Sequence, residues 1–332
     1  MSRLRASSAG LVFLAVLVWL AVPGVVYGQS ASNWKAPRTS DGQPDLQGVW
    51  LSKSATPLER PKALEGRALL TDEEVAQLQA RASRMFKDGN SDFAAGDAVF
   101  LAALGTGDRF KSPTSTHNSE DMIEREFDRH TSLIVDPPDG HIPPSTADAA
   151  RRREAAVAAA RREHVEDFDN ALRCIAFGVP RLGGRYGAGD YGYYQIVQTP
   201  GYVLLFMETG HEARIIPLNG RAHVPDGMRL WSGDSRGRWE GETLVVETTN
   251  FSAKSNFLGS AAGLRLVERF TRVAPDAIRY EMTMSDPATW AKPWTAEMPL
   301  KQSNARLYEW ACHEGNYHIM TGMLSAARSQ ER

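Results

Sequence analysis

The chain has 332 residues, is 42% hydrophobic and carries 38 basic against 40 acidic residues, a formal charge of −2. That length allows one large domain or two smaller ones, with a core not limited by size. The near-neutral balance offers no basic surface of the kind that a nucleic-acid partner requires, so none is expected.

Arg3 and Arg5 precede the apolar run LVFLAVLVWLAV, and VVYGQ places the small residue Gly28 before an expected cleavage point. This is the layout of a secretory signal. Residues 1–28 are therefore read as a signal peptide, the mature chain as starting near Gln29, and the location as periplasmic or secreted. An uncleaved anchor is the competing reading, but the run is short for a spanning helix and no later run approaches the necessary length. No membrane contact is expected once the signal is removed. Export also sets the meaning of Cys174 and Cys312. In an oxidising space they are expected to form a disulfide tying the middle of the chain to its end, the alternative being two separately buried thiols.

Residues 29–70, rich in Pro, Ser, Gly and single tryptophans, read as an extended arm in which PDLQGVW (44–50) leads into a first short strand. Residues 71–190 read as a helical and loop cover. It opens with TDEEVAQLQARASRMF, where Thr71 and Glu74 form a capping box and Val75, Leu78, Ala82 and Met85 recur at helical spacing. SLIVDPPDGHIPPST (132–146) reads as a short apolar strand and a rigid turn, followed by a helix over about 147–165. The arginines at 151–153 and 161–162 sit among glutamate and alanine, the pattern of a solvated helix face.

From Tyr193 the period changes to two. Strands are expected at 193–199, 202–208, 212–218, 243–251, 264–273, 277–284, 296–302 and 306–314, several joined by tight turns such as Thr199-Pro200-Gly201 and Glu240-Gly241-Glu242. Joins this short force antiparallel neighbours and leave no room for helical crossovers. The expected fold over 191–332 is mainly β, an antiparallel lipocalin-like barrel or half-open barrel, with the N-terminal arm and helices packed on it. A two-layer sandwich is the alternative, and 29–332 can also be read as one domain.

Polar residues that interrupt apolar strand faces mark the candidate site. Glu208 ends the face Tyr202, Leu204, Phe206, with His211 just beyond, and Glu268 interrupts Leu264, Leu266, Phe270. A carboxylate so placed pairs with an arginine or faces a polar cavity, since burial without a partner is too costly. Residues 219–242 read as a loop with Trp231, Trp239 and the alternating charges Asp234, Arg236, Arg238 and Glu240. It is either a binding loop or a hairpin in which Asp234 pairs with an arginine and the tryptophans plug the barrel. In the final expected strand, Tyr308, Trp310 and Cys312 share one face while Glu309 and His313 share the other, before a turn Glu314-Gly315-Asn316. His313 has the proton affinity of a general acid or base. His313 and His318 with Glu309 or Glu314 are zinc ligands in type, but their spacing does not match HExxH, so no metal is expected. Ser235 in GDSRG lacks a strand-to-helix elbow, and GVPRLGGRYGAG lacks the helix that would receive a phosphate.

The motifs PDLQGVW, QIVQTPGYVLLFMETGHEARIIPL, WSGDSRGRWEGETLVVETTNF, RLVERFTR and YEWACHEGNYH together resemble a family of exported bacterial proteins, over most of the chain after the signal. Proteins that look like these occur in soil and aromatic-degrading bacteria, which turns the expectation toward small-molecule catabolism; the resemblance brings no catalytic residue with it. A separate analogy of fold alone is to cofactor-free phenolic acid decarboxylases, small lipocalin-like barrels that use tyrosines, an arginine and a glutamate. The expectation is a cofactor-independent lyase or decarboxylase acting on a small aromatic or hydroxylated compound in the barrel. The alternative is a non-catalytic periplasmic binding protein for a small apolar ligand. Glu208, His211, Glu268, His313 and Tyr194 are the expected catalytic residues. Tyr193, Tyr202, Arg214, Trp231, Asp234, Arg236, Trp239, Glu309 and Asn316 are the expected substrate contacts. No cofactor is expected; the partners are a small-molecule substrate and, as an option, further copies of the chain.

Overall fold

The computed structural model describes residues 34–85, 97–105, 125–159, 164–182 and 192–330, so the expected signal peptide lies outside the described residues. Met1–Trp34 and Lys35–Arg332 separate as two units, and the strands and helices named below all belong to the second. No helix among the described residues is long and apolar enough to cross a membrane.

The described residues form ten strands: β1 (Gly48–Leu51), β2 (Ile134–Asp136), β3 (Tyr193–Thr199), β4 (Tyr202–Met207), β5 (Glu212–Pro217), β6 (Asp234–Glu240), β7 (Thr243–Thr249), β8 (Arg265–Ala274), β9 (Ala277–Ser285) and β10 (Trp294–Ser303). Their helices are α1 (Asp72–Met85), α2 (Asp97–Leu104), α3 (Ala147–Ala159) and α4 (Cys312–Gln330). The capping box of α1 is formed, with Glu74 N–H donating to Thr71 Oγ1 at 3.2 Å and Thr71 N–H to Glu74 Oε2 at 2.8 Å. Its apolar stripe packs on α2 through Leu78, Ala82, Val99 and Phe100.

The sheet runs β5-β4-β3-β1-β10-β9-β8-β7-β6, with β2 attached to β10. It curls into a nearly closed antiparallel barrel with one unsealed seam, between β5 and β6. The seam has a topological cause. Every neighbouring pair along this nine-strand path is antiparallel, so the first and last strands point the same way. An antiparallel ladder cannot join them, and the connection 218–233 must travel back along the barrel before β6 begins.

Side chains close what the ladder leaves open. Gly237 of β6 lies so close to β5 that a Cβ there would stand 2.7 Å from both Ile216 Cγ2 and Leu218 Cδ2. Beside it Arg214 reaches inward from β5. Its Nη1 and Nη2 donate to the two oxygens of Glu268 on β8 at 3.0 and 2.5 Å, and Nη2 also donates to Ser235 Oγ on β6 at 3.1 Å and Thr248 Oγ1 on β7 at 3.0 Å. Tyr280 OH on β9 donates to Glu268 Oε1 at 2.5 Å. One guanidinium thus ties the first strand of the path to the last three. Burial alone would lower the Arg214 pKa, but the Glu268 carboxylate more than offsets that and holds it raised. Around this pair the interior is filled by Trp50, Ile196, Leu205, Ile216, Leu244, Phe270, Met282 and Trp294.

Three expectations are corrected. Asp234–Glu240, read as loop, forms β6 and pairs residue for residue with β7. Arg236, Arg238 and Glu240 are the outer side of a period-two strand whose other side is Ser235, Gly237 and Trp239, while Asp234 at its start is buried. Residues 306–314, read as the last strand, are irregular as far as Ala311 and helical from Cys312. Glu314, Gly315 and Asn316 therefore belong to α4 and not to a turn. Ile319, Met320, Met323 and Leu324 supply a helical spacing that outweighs the strand-like alternation before them. On β4 the core face is Val203, Leu205 and Met207, while Tyr202 is exposed and Leu204 and Phe206 half-buried. Both rows of this strand are apolar, so bulk does not identify the inner one, and with a period of two the wrong choice inverts the strand.

The expected disulfide is formed: Cys174 and Cys312, 138 residues apart, are bonded. A closed loop of that length stabilises the fold by roughly 2–5 kcal/mol. The bond is compatible with an oxidising compartment.

Breaking the buried pair from one side should be costly. Arg214→Met is expected to lower unfolding free energy by about 3–5 kcal/mol, and Arg214→Met combined with Glu268→Leu to recover most of that loss, both read by chemical denaturation.

Candidate functional site

The two ends of the barrel differ. At one end the strands meet in tight turns at 199–202, 240–243 and 274–277; at the other lie the turn 208–211 and the longer segments 250–264 and 286–293. Glu208 and His211 sit at this loop-bearing end, in the turn between β4 and β5. Gly210 makes that turn possible at a φ of 78°, and a Cβ there would stand 2.4 Å from the ring of Phe177. His211 follows with a φ of 51°, a left-handed conformation unusual for a side-chain-bearing residue.

The C-terminal segment lies across this turn. The Tyr308 backbone N–H favours the charged form of the Glu208 carboxylate, and Trp310 donates its N–H to His211 Nδ1 at 2.9 Å. The Trp310 ring meets Phe177 edge-on at 5.9 Å, and the His211 ring meets Phe206 edge-on at 5.5 Å. Two residues after Trp310, the Cys174–Cys312 bond fixes the segment to the chain that carries Phe177. Behind the turn, Arg181 donates to Thr209 O and Glu212 Oε2, both at 2.7 Å, while Phe177 N–H donates to Glu212 Oε1 at 2.9 Å. The Arg181 guanidinium lies 5.5 Å over the Phe177 ring. The turn is thereby gripped from both sides.

Within this frame Glu208 is left partly unsatisfied. Its Oε2 is buried and has no hydrogen-bond partner among the described residues. Burial raises its pKa, against the opposing pull of the Tyr308 N–H and of His211. His211 is exposed. Because its Nδ1 accepts a hydrogen bond, the neutral ring carries its proton on Nε2. A half-buried carboxylate with one unpartnered oxygen and an imidazole of fixed tautomer, three residues apart on a rigid turn, can exchange a proton with a small molecule.

The other expected residues do not gather here. Glu268 and Tyr194 lie inside the barrel. Glu268 is 0% exposed and held by Arg214 and Tyr280; Tyr194 OH donates to Arg181 O at 3.2 Å. Burial pushes the Tyr194 and Tyr280 phenols well above their usual range, so both stay neutral donors. Arg214, expected to hold a substrate carboxylate, holds the protein's own Glu268. His313 and Glu309 are exposed, on α4 and the segment before it, and Asn316 is half-buried in α4. Tyr193 and Tyr202 point away from the barrel interior, half-buried and exposed respectively.

The segment 218–233 that leads into β6 is tied down by its own polar contacts. Asp234 accepts from Arg236 Nη1 at 2.6 Å and Val224 N–H at 3.1 Å, and lies 2.8 Å from His223 Nδ1. Asn250 donates to the carbonyls of Val224, Pro225 and Met228. The pairing of Asp234 with an arginine fits the hairpin reading. Trp239 packs on the core, whereas Trp231 remains 36% exposed. Sequence reasoning missed Arg181 and Glu212, which are 31 residues apart, and set aside His223, whose partner Asp234 is 11 residues away, because no period links them. No protein-family model, curated protein or solved structure matches this chain.

The raised pKa of Glu208 has a stability consequence of definite sign. Its favourable contribution is complete below the usual carboxylate value of 4.5 and is lost as pH rises through the higher folded value. Glu208→Gln is expected to be more stable than the parent at pH 7 and to lose that margin on acidification below pH 4.5, measured as unfolding midpoints across pH.

Proposed function

We propose that the protein is an exported, cofactor-independent lyase that acts on a small aromatic or hydroxylated compound, with its chemistry at the loop-bearing rim and not in the barrel interior. Glu208 is the proton-transferring group and His211 its partner. One observation carries this reading: a buried carboxylate oxygen without a partner among the described residues, on a side chain whose pKa is raised, stands three residues from an exposed imidazole. A pure binding site for an apolar ligand has no use for such a group, because a carboxylate oxygen buried without a partner costs stability. The interior offers the same residue types, but Glu268 is fully buried and its oxygens are engaged by Arg214 and Tyr280. The disulfide and the export signal expected in residues 1–28 support a periplasmic or secreted location.

The test is turnover of a panel of hydroxylated aromatic acids and β-hydroxy carbonyl compounds, followed by NMR for release of carbon dioxide or water. Glu208→Gln, folded as judged by circular dichroism, is expected to lower kcat/KM about 10²–10⁴-fold, the range for loss of a general acid or base. Binding without turnover, equally tight in the parent and in Glu208→Gln, would instead identify a ligand-binding protein and overturn the proposal.

A further inference from the structure

The segment Tyr308–Cys312 does more than cover the rim. Its peptide N–H groups at positions 308 and 310 address Glu208 and His211 respectively. The segment is held at two further points, the Trp310 ring against Phe177 and the Cys174–Cys312 bond. Phe177 is itself fixed, because its N–H donates to Glu212 and its ring lies under Arg181. The backbone that reads the two side chains is therefore anchored independently of them.

We propose that Tyr308–Cys312 is a positioning strap that divides the roles of the pair: Trp310 N–H holds His211 as a hydrogen-bond donor at Nε2, leaving Glu208 to carry the proton. This rests on the proposed lyase reading and deepens it to a substrate class. A neutral imidazole with its proton on Nε2 is a poor base, since its remaining lone pair on Nδ1 is occupied, and a poor proton donor, since giving up that proton leaves an imidazolate. It is a good donor to a developing oxyanion. A carboxylate opposite such a donor suits abstraction of a proton from carbon next to a carbonyl. The Glu208 carboxylate takes that C–H proton, and the bonding pair moves through the new C=C bond onto the carbonyl oxygen, where His211 Nε2–H stabilises it. When the carbonyl re-forms, the pair expels the β-hydroxyl, which takes the proton from Glu208. One β-hydroxy carbonyl compound yields one α,β-unsaturated carbonyl compound and one water, and Glu208 ends as it began. No oxidant, reductant or further reactant enters.

The experiment is a long-range 15N–1H correlation spectrum of the His211 imidazole in the parent, Trp310→Phe and Trp310→Pro proteins. The phenylalanine variant keeps the peptide N–H and the proline variant lacks it. The parent and Trp310→Phe are expected to show one tautomer with the proton on Nε2, and Trp310→Pro a mixture. With 4-hydroxy-2-butanone as the probe, kcat in Trp310→Pro is expected to fall at least tenfold with little change in KM. An Nδ1–H tautomer in the parent, or an unchanged tautomer in Trp310→Pro, overturns the strap. If Trp310→Pro does not fold, the parent reduced with dithiothreitol serves instead, with the barrel checked by circular dichroism. A mixed tautomer on reduction supports the strap and an unchanged one overturns it. A tautomer that behaves as expected in a protein with no turnover of any compound sinks the lyase reading and leaves the strap standing as a device of a binding site.

Discussion

The Arg214–Glu268 bond is the constraint on which the barrel depends. Two charges removed from water cost several kcal/mol each, and attraction compensates for this only when the geometry is good and the remaining donors and lone pairs find partners. Here the guanidinium meets the carboxylate through two parallel bonds, and Ser235, Thr248 and Tyr280 add further partners, with the Arg214 Nε left without one among the described residues. Lysine could not substitute, because a point charge offers no fork with which to hold a carboxylate and two hydroxyls on three different strands. The need for so demanding a contact comes from strand number: nine strands alternating in direction bring two parallel edges together, and side chains must join what backbone hydrogen bonds do not.

That arrangement separates two sets of polar residues that are similar in type. Inside the barrel, Glu268 is held by the Arg214 guanidinium and the Tyr280 phenol while Tyr194 donates to a backbone carbonyl, and these bonds serve architecture. At the rim, the half-buried Glu208 keeps one carboxylate oxygen buried without a partner among the described residues. The contrast lies in what remains open and not in which residues are present, so the analogy to barrel decarboxylases built on tyrosine, arginine and glutamate does not by itself locate chemistry. Ingredients of that kind occur here in Tyr194, Arg214 and Glu268, within a core where they are already used.

Much of the architecture is legible in the sequence because it is periodic. The alternation of Leu266, Glu268 and Phe270, and of Ile278, Tyr280, Met282 and Met284, marks both the strands and their inner faces. The tight turns dictate antiparallel order, and two cysteines in a chain with an expected export signal point to the cross-link. Periodicity fails where two patterns overlap. The charges of β6 look like a loop because Gly237 and Ser235 supply no apolar signal on its buried face, and LYEWACH alternates like a strand although the helix begins within it. Of the site, Glu208 and His211 can be named from their place beside a glycine turn. The rest of the geometry is long-range: Trp310 N–H reaches a ring 99 residues earlier, and only folding brings such partners together. Glu268 and Arg214 are each recognisable as requiring a partner, yet that they require one another is a property of the closed sheet.

The position of Cys312 also bears on when the rim can exist. Its partner Cys174 lies 138 residues earlier. All ten described strands precede it, so a chain emerging from its amino terminus can complete the barrel while the turn at 208–211 still faces water unclothed. Readiness at that turn therefore follows the barrel, because the segment that clothes it, Tyr308–Cys312, comes after the last strand and is fastened only when Cys312 meets Cys174.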